Sequence, residues 1–137
     1  MPASTQNYGI DTSVFVRLLT GHPEKDFQKT VAALKRLHEV ETGTQLIVSN
    51  QVIGEAYITL QHFYEISKPD ARAAISSLFA SGHVYPLNGK DVVEVLKSKT
   101  GAGLMDRLIA QDYTARDCLV LTNDRKMAKL PGIVLLK

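Results

Sequence analysis

Short apolar runs alternate along the chain with longer stretches in which apolar residues recur at helical spacing. Because short runs bounded by polar residues are typical of strands and spaced apolar residues are typical of helices, the pattern predicts about five strands with helices between them. Strands separated by helices favour right-handed crossovers and a mainly parallel sheet covered on both faces. We therefore expect an α/β fold in a single domain over residues 1–137. The predicted strands cover residues 8–10, 46–48, 84–85, 118–121 and 133–136.

Helix boundaries are marked by residues that begin or end helices for known physical reasons. The first helix is expected to follow Asp11 and to stop at Gly21, and the second to begin at Pro23 and run to about Val40. The third helix carries Glu55. Residues in position to begin the later helices are Ser49 or Asn50, then Pro69 with Asp70, and then Asn88 with Asp91.

Composition excludes several classes of protein. With 45% apolar and 22% charged residues, the chain has an ordinary globular balance. No apolar run approaches the roughly 20 residues that span a bilayer, and residues 1–7 are too polar for a signal peptide, so we expect a cytoplasmic protein without membrane contact. The single cysteine, Cys118, excludes an internal disulfide, and its apolar surroundings predict a small core residue.

Four carboxylates stand at positions where chemistry is feasible, although each has a simpler interpretation when taken alone. Asp11 and Asp124 follow predicted strands and are suited to cap the next helix. Glu55 on a helix is more often a solvated residue, and Asp106 in a first helical turn is often only a partner of the helix dipole. No one of the four would identify a site.

Taken together, the four acids predict a metal site. Glu55 and Asp106 border apolar stripes, while Asp11 and Asp124 follow strands whose carboxyl ends are expected to share one edge of the sheet. Two carboxylates about 4 Å apart repel by about 4 kcal/mol at an effective dielectric constant near 20, so such a cluster requires a cation. Oxygen ligands without His or Cys suit Mg²⁺ or Mn²⁺. Without these four acids the charge balance of the chain would be 16 − 10 = +6, which would favour a polyanion beside the site, although lysines scattered over solvated helix faces fit the composition equally well.

The order of these motifs resembles the PIN domain, and more narrowly a VapC-type toxin of a type II toxin-antitoxin system. The resemblance covers essentially the whole chain. It is carried by Asp11-Thr12-Ser13 after the first strand, Glu55 on a helix, Asp106 within the segment LMDRLIA, and Thr122-Asn123-Asp124 after a late strand.

The resemblance implies a three-layer PIN-like sandwich and a ribonuclease that depends on Mg²⁺ or Mn²⁺, with products that carry a 5′-phosphate and a 3′-hydroxyl. We expect Asp11 and Asp106 to bind the metal directly and Asp124 to bind it directly or through water, while the glutamate orients the attacking water and two threonines support the site. The catalytic set carried over is Asp11, Glu55, Asp106 and Asp124, with Asp11, Asp106 and Asp124 as metal ligands and Thr122 and Thr12 as supporting residues.

The resemblance also implies partners. The expected substrate is RNA, and a cognate antitoxin would hold the protein inactive in what is usually a homodimer. Arg107, Arg125 and Lys126 adjoin the acids in sequence and are candidates to contact the RNA backbone, although exposed basic residues are more often only solvated.

Other classes fit less well. A catalytically silent PIN-fold module that binds RNA or protein is the main alternative, because a fold does not fix a function. A phospho-accepting receiver domain expects an acidic pair after the first strand, and a haloacid-dehalogenase phosphatase expects an Asp at position 13, where this chain has Ser13. A zinc hydrolase is disfavoured because His22, His38, His62 and His83 are isolated in sequence.

Overall fold

The computed structural model describes residues 6–98 and 101–136, so residues 1–5 of the polar N-terminal segment lie outside the described residues. Helices and strands alternate over this range, as the hydrophobic pattern predicts. The strands are β1 (Tyr8–Gly9), β2 (Leu46–Val48), β3 (Val84–Pro86), β4 (Val120–Thr122) and β5 (Ile133–Leu135). The helices are α1 (Thr12–Thr20), α2 (Glu24–Val40), α3 (Asn50–His62), α4 (Lys68–Ala80), α5 (Asp91–Lys97) and α6 (Leu104–Thr114), with a 3-10 helix at Met127–Lys129.

Within the described residues the five strands fall into two sheets, and each pair of neighbouring strands is parallel. β2 lies between β1 and β3, while β4 pairs with β5 in a separate two-stranded sheet. The α/β prediction is thus confirmed, and the predicted strands are present within a residue or two of their expected bounds. This division into two sheets matters for the site, because Asp11 and Asp124 are expected to lie close together only if β1 and β4 share one edge of a sheet.

Helix α3 is the centre of the larger hydrophobic core. It packs against α1, α4 and α6, and its inward face includes Ile53, Ala56 and Leu60, each at most 1% exposed. A second, smaller cluster joins Ala110 of α6 to Val120, Met127 and Ile133. Helix α6 therefore contacts both clusters and links the C-terminal strands to the rest of the molecule.

Local capping explains the helix boundaries near the predicted site. The Asp11 side chain caps α1, and Gly21 ends that helix with a positive φ of 64°, which glycine adopts without strain. The Ser49 hydroxyl accepts a hydrogen bond from the Val52 N–H and so caps α3. Pro23 is the residue before α2 rather than its first helical residue.

The prediction that Cys118 is a small core residue is wrong. Cys118 is exposed, and Leu119 and Leu121 are 73% and 66% exposed, so only Val120 of this run is buried. The reason is that the two-stranded sheet is covered by the small second cluster, whereas β2 lies within a larger sheet and a larger core.

None of the helices within residues 6–98 and 101–136 combines the length and the apolar character needed to cross a bilayer.

Candidate active site

Asp11 lies at the carboxyl end of β1, where the chain turns into α1. Its Oδ1 accepts hydrogen bonds from the Ser13 hydroxyl at 2.7 Å and from the Val14 N–H at 3.1 Å. These two hydrogen bonds lower the pKa of the Asp11 carboxyl below its ordinary value, and the bond from the Ser13 hydroxyl has the larger effect. The carboxylate is exposed and anionic at neutral pH. The capping function proposed for Asp11 is therefore confirmed, and both of these hydrogen bonds are accepted by Oδ1.

Glu55 and Asp106 lie on two helices that meet at Gly54. A Cβ atom added at Gly54 would be 2.7 Å from Met105 Cε and 3.0 Å from Met105 Sδ, so the missing side chain leaves room for the end of the Met105 side chain between α3 and α6. Glu55 follows Gly54 and Asp106 follows Met105, so each acid lies beside this contact in sequence. Glu55 is exposed and Asp106 is half-buried.

Asp106 occupies the first turn of α6, which begins after Gly103 without a side-chain cap. An anion in this turn is stabilised by the positive end of the helix dipole. The next residue, Arg107, turns back toward the preceding loop, since its Nε donates to the Ala102 carbonyl at 2.9 Å. This arginine was predicted to contact RNA, and at least its Nε is occupied in holding the loop before α6.

Asp124 caps the turn that leads into the 3-10 helix. Its Oδ1 accepts from the Lys126 N–H at 2.8 Å and from the Met127 N–H at 3.1 Å. The Thr122 hydroxyl accepts from the Asp124 N–H at 3.0 Å, so Thr122 fixes the backbone of the acid that follows it. Arg125 is exposed, as is Lys126. As with Asp11, capping uses one carboxylate oxygen.

The structure does not bring the four acids into one cluster. Across residues 6–98 and 101–136, no three His, Cys, Asp or Glu side chains form a group that could hold a metal ion. Asp11 follows a strand of the three-stranded sheet and Asp124 follows a strand of the other sheet. The assignment of these acids to a common site stays a prediction.

Sequence reasoning missed a group of side-chain amides against α6. Asn50 and Gln111 are 3% and 7% exposed and hydrogen-bond each other at 2.8 Å. Asn88, which was predicted to cap α5, instead donates to Gln111 Oε1 at 2.9 Å and to Asp112 Oδ1 at 2.8 Å. That capping prediction is wrong, because α5 begins after Lys90 without a side-chain cap. Gln111 could have indicated this group in the sequence, because it is a polar residue three positions after the buried Leu108 and so lies on the same face of the helix.

Comparison with known proteins identifies the family. A model of the PIN domain matches residues 8–133, a range that includes all four acids. The crystal structure of VapBC2 from Rickettsia felis bound to a DNA fragment from their promoter is similar over 96% of this chain and 98% of that chain, with 16% sequence identity and a TM-score of 0.43. No curated protein matches the sequence. Proteins with PIN domains are generally nucleases that depend on divalent metal ions. The chain belongs to the PIN domain family.

Proposed function

We propose that this protein is a metal-dependent endoribonuclease that hydrolyses RNA phosphodiester bonds. The observation that carries the proposal is the match of the PIN domain model to residues 8–133, within which the four expected acids are all present. A nuclease that had lost its activity would be expected to have lost one or more of these carboxylates.

The donor set suits Mg²⁺ or Mn²⁺ by its chemistry. All four candidates are carboxylates, and hard oxygen ligands without imidazole or thiolate are those that these cations prefer. The capping hydrogen bonds of Asp11 and Asp124 are accepted by Oδ1 of each side chain. Each aspartate would therefore keep its capping bonds while its second oxygen binds the cation.

We assign metal binding to Asp11, Asp106 and Asp124, and water orientation to Glu55. A bound divalent cation would lower the pKa of a coordinated water and polarise the phosphate. The protein contributes the acidic side chains: the hydrogen bond from the Ser13 hydroxyl lowers the pKa of Asp11, and Asp106 lies in the first turn of α6. Thr122 holds the backbone that presents Asp124, and Thr12 is assigned a supporting position beside Asp11.

The decisive experiment measures cleavage of RNA by the purified protein with Mg²⁺ or Mn²⁺, with and without a chelator. Asp106→Asn is expected to abolish cleavage while preserving the unfolding temperature, because the amide is isosteric with the carboxylate. Asp70→Asn is the matched control, since Asp70 is an exposed acid in the first turn of α4 and is outside the proposed set. Full cleavage by a normally folded Asp106→Asn variant would overturn the site assignment.

We further propose that exposed cations beside Asp124 contact the RNA backbone. Arg125 and Lys126 are both exposed, whereas the Nε of Arg107 is bonded to its own loop, so we expect the larger contribution from the first two. Charge reversal at Arg125 and Lys126 should weaken RNA binding and reduce its salt dependence. Reversal at Lys25, an exposed cation on α2, is the control. Equal binding by both variants would remove these residues from the interface.

The biological setting that we propose is a cytoplasmic toxin held inactive by a cognate antitoxin protein, acting as a homodimer. Helix α2 has no buried residue and so offers surface for either contact. Expression in a bacterial host tests the toxin assignment, because growth arrest is expected and Asp106→Asn should relieve it. Sedimentation of the purified protein tests the dimer.

A catalytically silent PIN-fold module is the second candidate. It is favoured by one observation, namely that no group of three potential metal ligands is assembled in the part of the chain that the structure describes. Such a module would bind RNA or a protein without cleaving RNA in any divalent metal, so the cleavage assay with Mg²⁺ and Mn²⁺ separates the two candidates.

A further inference from the structure

Three side-chain amides form a hydrogen-bonded group at one end of the three-stranded sheet, and we call Asn50, Asn88 and Gln111 the amide cluster. Asn50 Nδ2 donates to the Leu108 carbonyl at 3.0 Å and to Gln111 Oε1 at 2.8 Å. Asn88 Nδ2 donates to the same Gln111 oxygen at 2.9 Å. Because none of the three side chains ionises, these bonds persist across the pH range in which the protein is folded.

The amide cluster joins α6 to the carboxyl ends of two neighbouring strands. Asn50 is the first residue of α3, two positions after the end of β2, and Asn88 lies in the turn after β3. Gln111 is on α6, five residues after Asp106, while Glu55 is on α3, five residues after Asn50. The bonds therefore connect the two helices that carry two of the proposed site acids.

Stability alone is a poor explanation for the amide cluster. Asn50 is buried, and among the described residues its Oδ1 has no hydrogen-bond partner. A buried polar atom without a partner is unfavourable, and an apolar side chain of similar volume is often as stable or more so. Reversing the amide would not help, because its oxygen would then face two other oxygens. What amides provide and apolar side chains lack is a fixed direction of contact.

We propose that Asn50 and Gln111 are positioning residues that hold α6 in one register against α3 and so fix where Asp106 and Glu55 lie relative to each other. The inference rests on the proposed function. Gly54 leaves room for the end of the Met105 side chain between the two helices, and the amide cluster fixes how far α6 slides and rotates along that contact. A small displacement of α6 would move Asp106 directly, because Asp106 is part of that helix.

The test compares Mn²⁺ affinity with thermal stability in the full chain. Asn50→Leu is expected to weaken Mn²⁺ binding, measured by calorimetric titration, by about tenfold or more, as is typical when residues that orient metal ligands are lost. Its unfolding temperature should be unchanged or higher. Cleavage of RNA should recover at high Mn²⁺ concentration, because the ligands themselves remain. A merely structural role would lower the unfolding temperature and leave the affinity of the folded protein unchanged.

Two further variants make the outcome decisive. Gln111→Met removes the shared acceptor with little change in length, and it replaces Asn50→Leu if that variant does not fold. Ile75→Val, at a fully buried position of α4, is the control: it should lower stability without changing Mn²⁺ affinity. If the unchanged protein binds Mn²⁺ and the folded amide variants bind it equally well, the positioning role is refuted while the proposed function stands. If the unchanged protein neither binds Mn²⁺ nor cleaves RNA, the proposed function fails, and the positioning role fails with it.

Discussion

The contact between α3 and α6 at Gly54 gives a prediction that is independent of any assumption about catalysis. In Gly54→Ala the new Cβ would lie 2.7 Å from Met105 Cε, whereas ordinary contacts are 3.4–4 Å. The methionine must therefore shift by about 1 Å. Met105 is 37% exposed and has a flexible side chain, so it has room to turn outward.

Two opposing effects set the magnitude. Overpacking of this kind costs about 1–3 kcal/mol, and we expect about 1 kcal/mol because the displaced atom is the mobile end of Met105. Alanine gains about 1 kcal/mol over glycine in the interior of a helix. The two nearly cancel, so Gly54→Ala alone should change stability little. In a Met105→Ala background the obstacle is gone, and the next atom, Leu108 Cδ1, lies at an acceptable 3.7 Å. There Gly54→Ala should stabilise the protein by about 1 kcal/mol.

A double-mutant cycle measures this coupling. The four proteins are the original chain, Gly54→Ala, Met105→Ala and the double variant, and each is unfolded by heat and by urea. A coupling of about 1 kcal/mol corresponds to a difference of about 3–5 °C in Tm for a chain of this size. If Gly54→Ala has the same effect in both backgrounds, Met105 does not limit the approach of the helices, and the reasoning is refuted.

Three other predictions concern the capping residues. Asp124→Asn should keep the two capping hydrogen bonds and the stability of the protein, whereas Asp124→Ala should lower the free energy of unfolding by about 1 kcal/mol. Both variants should lose metal-dependent cleavage. Cleavage by Asp124→Asn would exclude Asp124 as a metal ligand. Ser13→Ala should raise the pKa of Asp11, read by NMR titration. Because the pKa of Asp11 is lowered in the folded state, its ionised carboxylate stabilises the fold above the ordinary Asp pKa, and this stabilisation is lost as the pH falls through the lowered pKa. An unchanged pKa of Asp11 in Ser13→Ala would contradict the hydrogen bond from Ser13 as the cause of the lowered pKa. Ser49→Ala should cost about 1 kcal/mol in urea unfolding and Ser49→Asp should restore it, and equal stability of the two would exclude the cap.

The parts of the fold that follow from local rules were predictable. Asp11 and Gly21 bound α1 as expected, and Ser49 caps α3, because each of these residues acts on backbone groups within a few positions of itself. The order of four acids along the chain was likewise sufficient to identify the family that the comparison confirms.

Predictions that depended on neighbours in space were less successful. Cys118 has apolar residues beside it in sequence, but it is exposed, because β4 pairs only with β5 within the described residues. Asn88 is three residues before Asp91 and has the pattern of a cap, but its side-chain amide donates hydrogen bonds to Gln111 and Asp112 of α6 instead. In both cases the same local pattern is compatible with two environments, and the packing of distant segments selects one of them.

The sequence by itself determined the α/β fold class, most helix boundaries and the family, since these depend on periodicity, on caps and on the identity of four acids. Only the tertiary structure decided that the strands form sheets of three and two, that α3 and α6 meet at Gly54, and that Asn50 reaches Gln111 across 61 positions. The physical reason is the range of the interactions. A cap is decided within one helical turn, whereas strand pairing and helix docking depend on surfaces that exist only once the chain has folded.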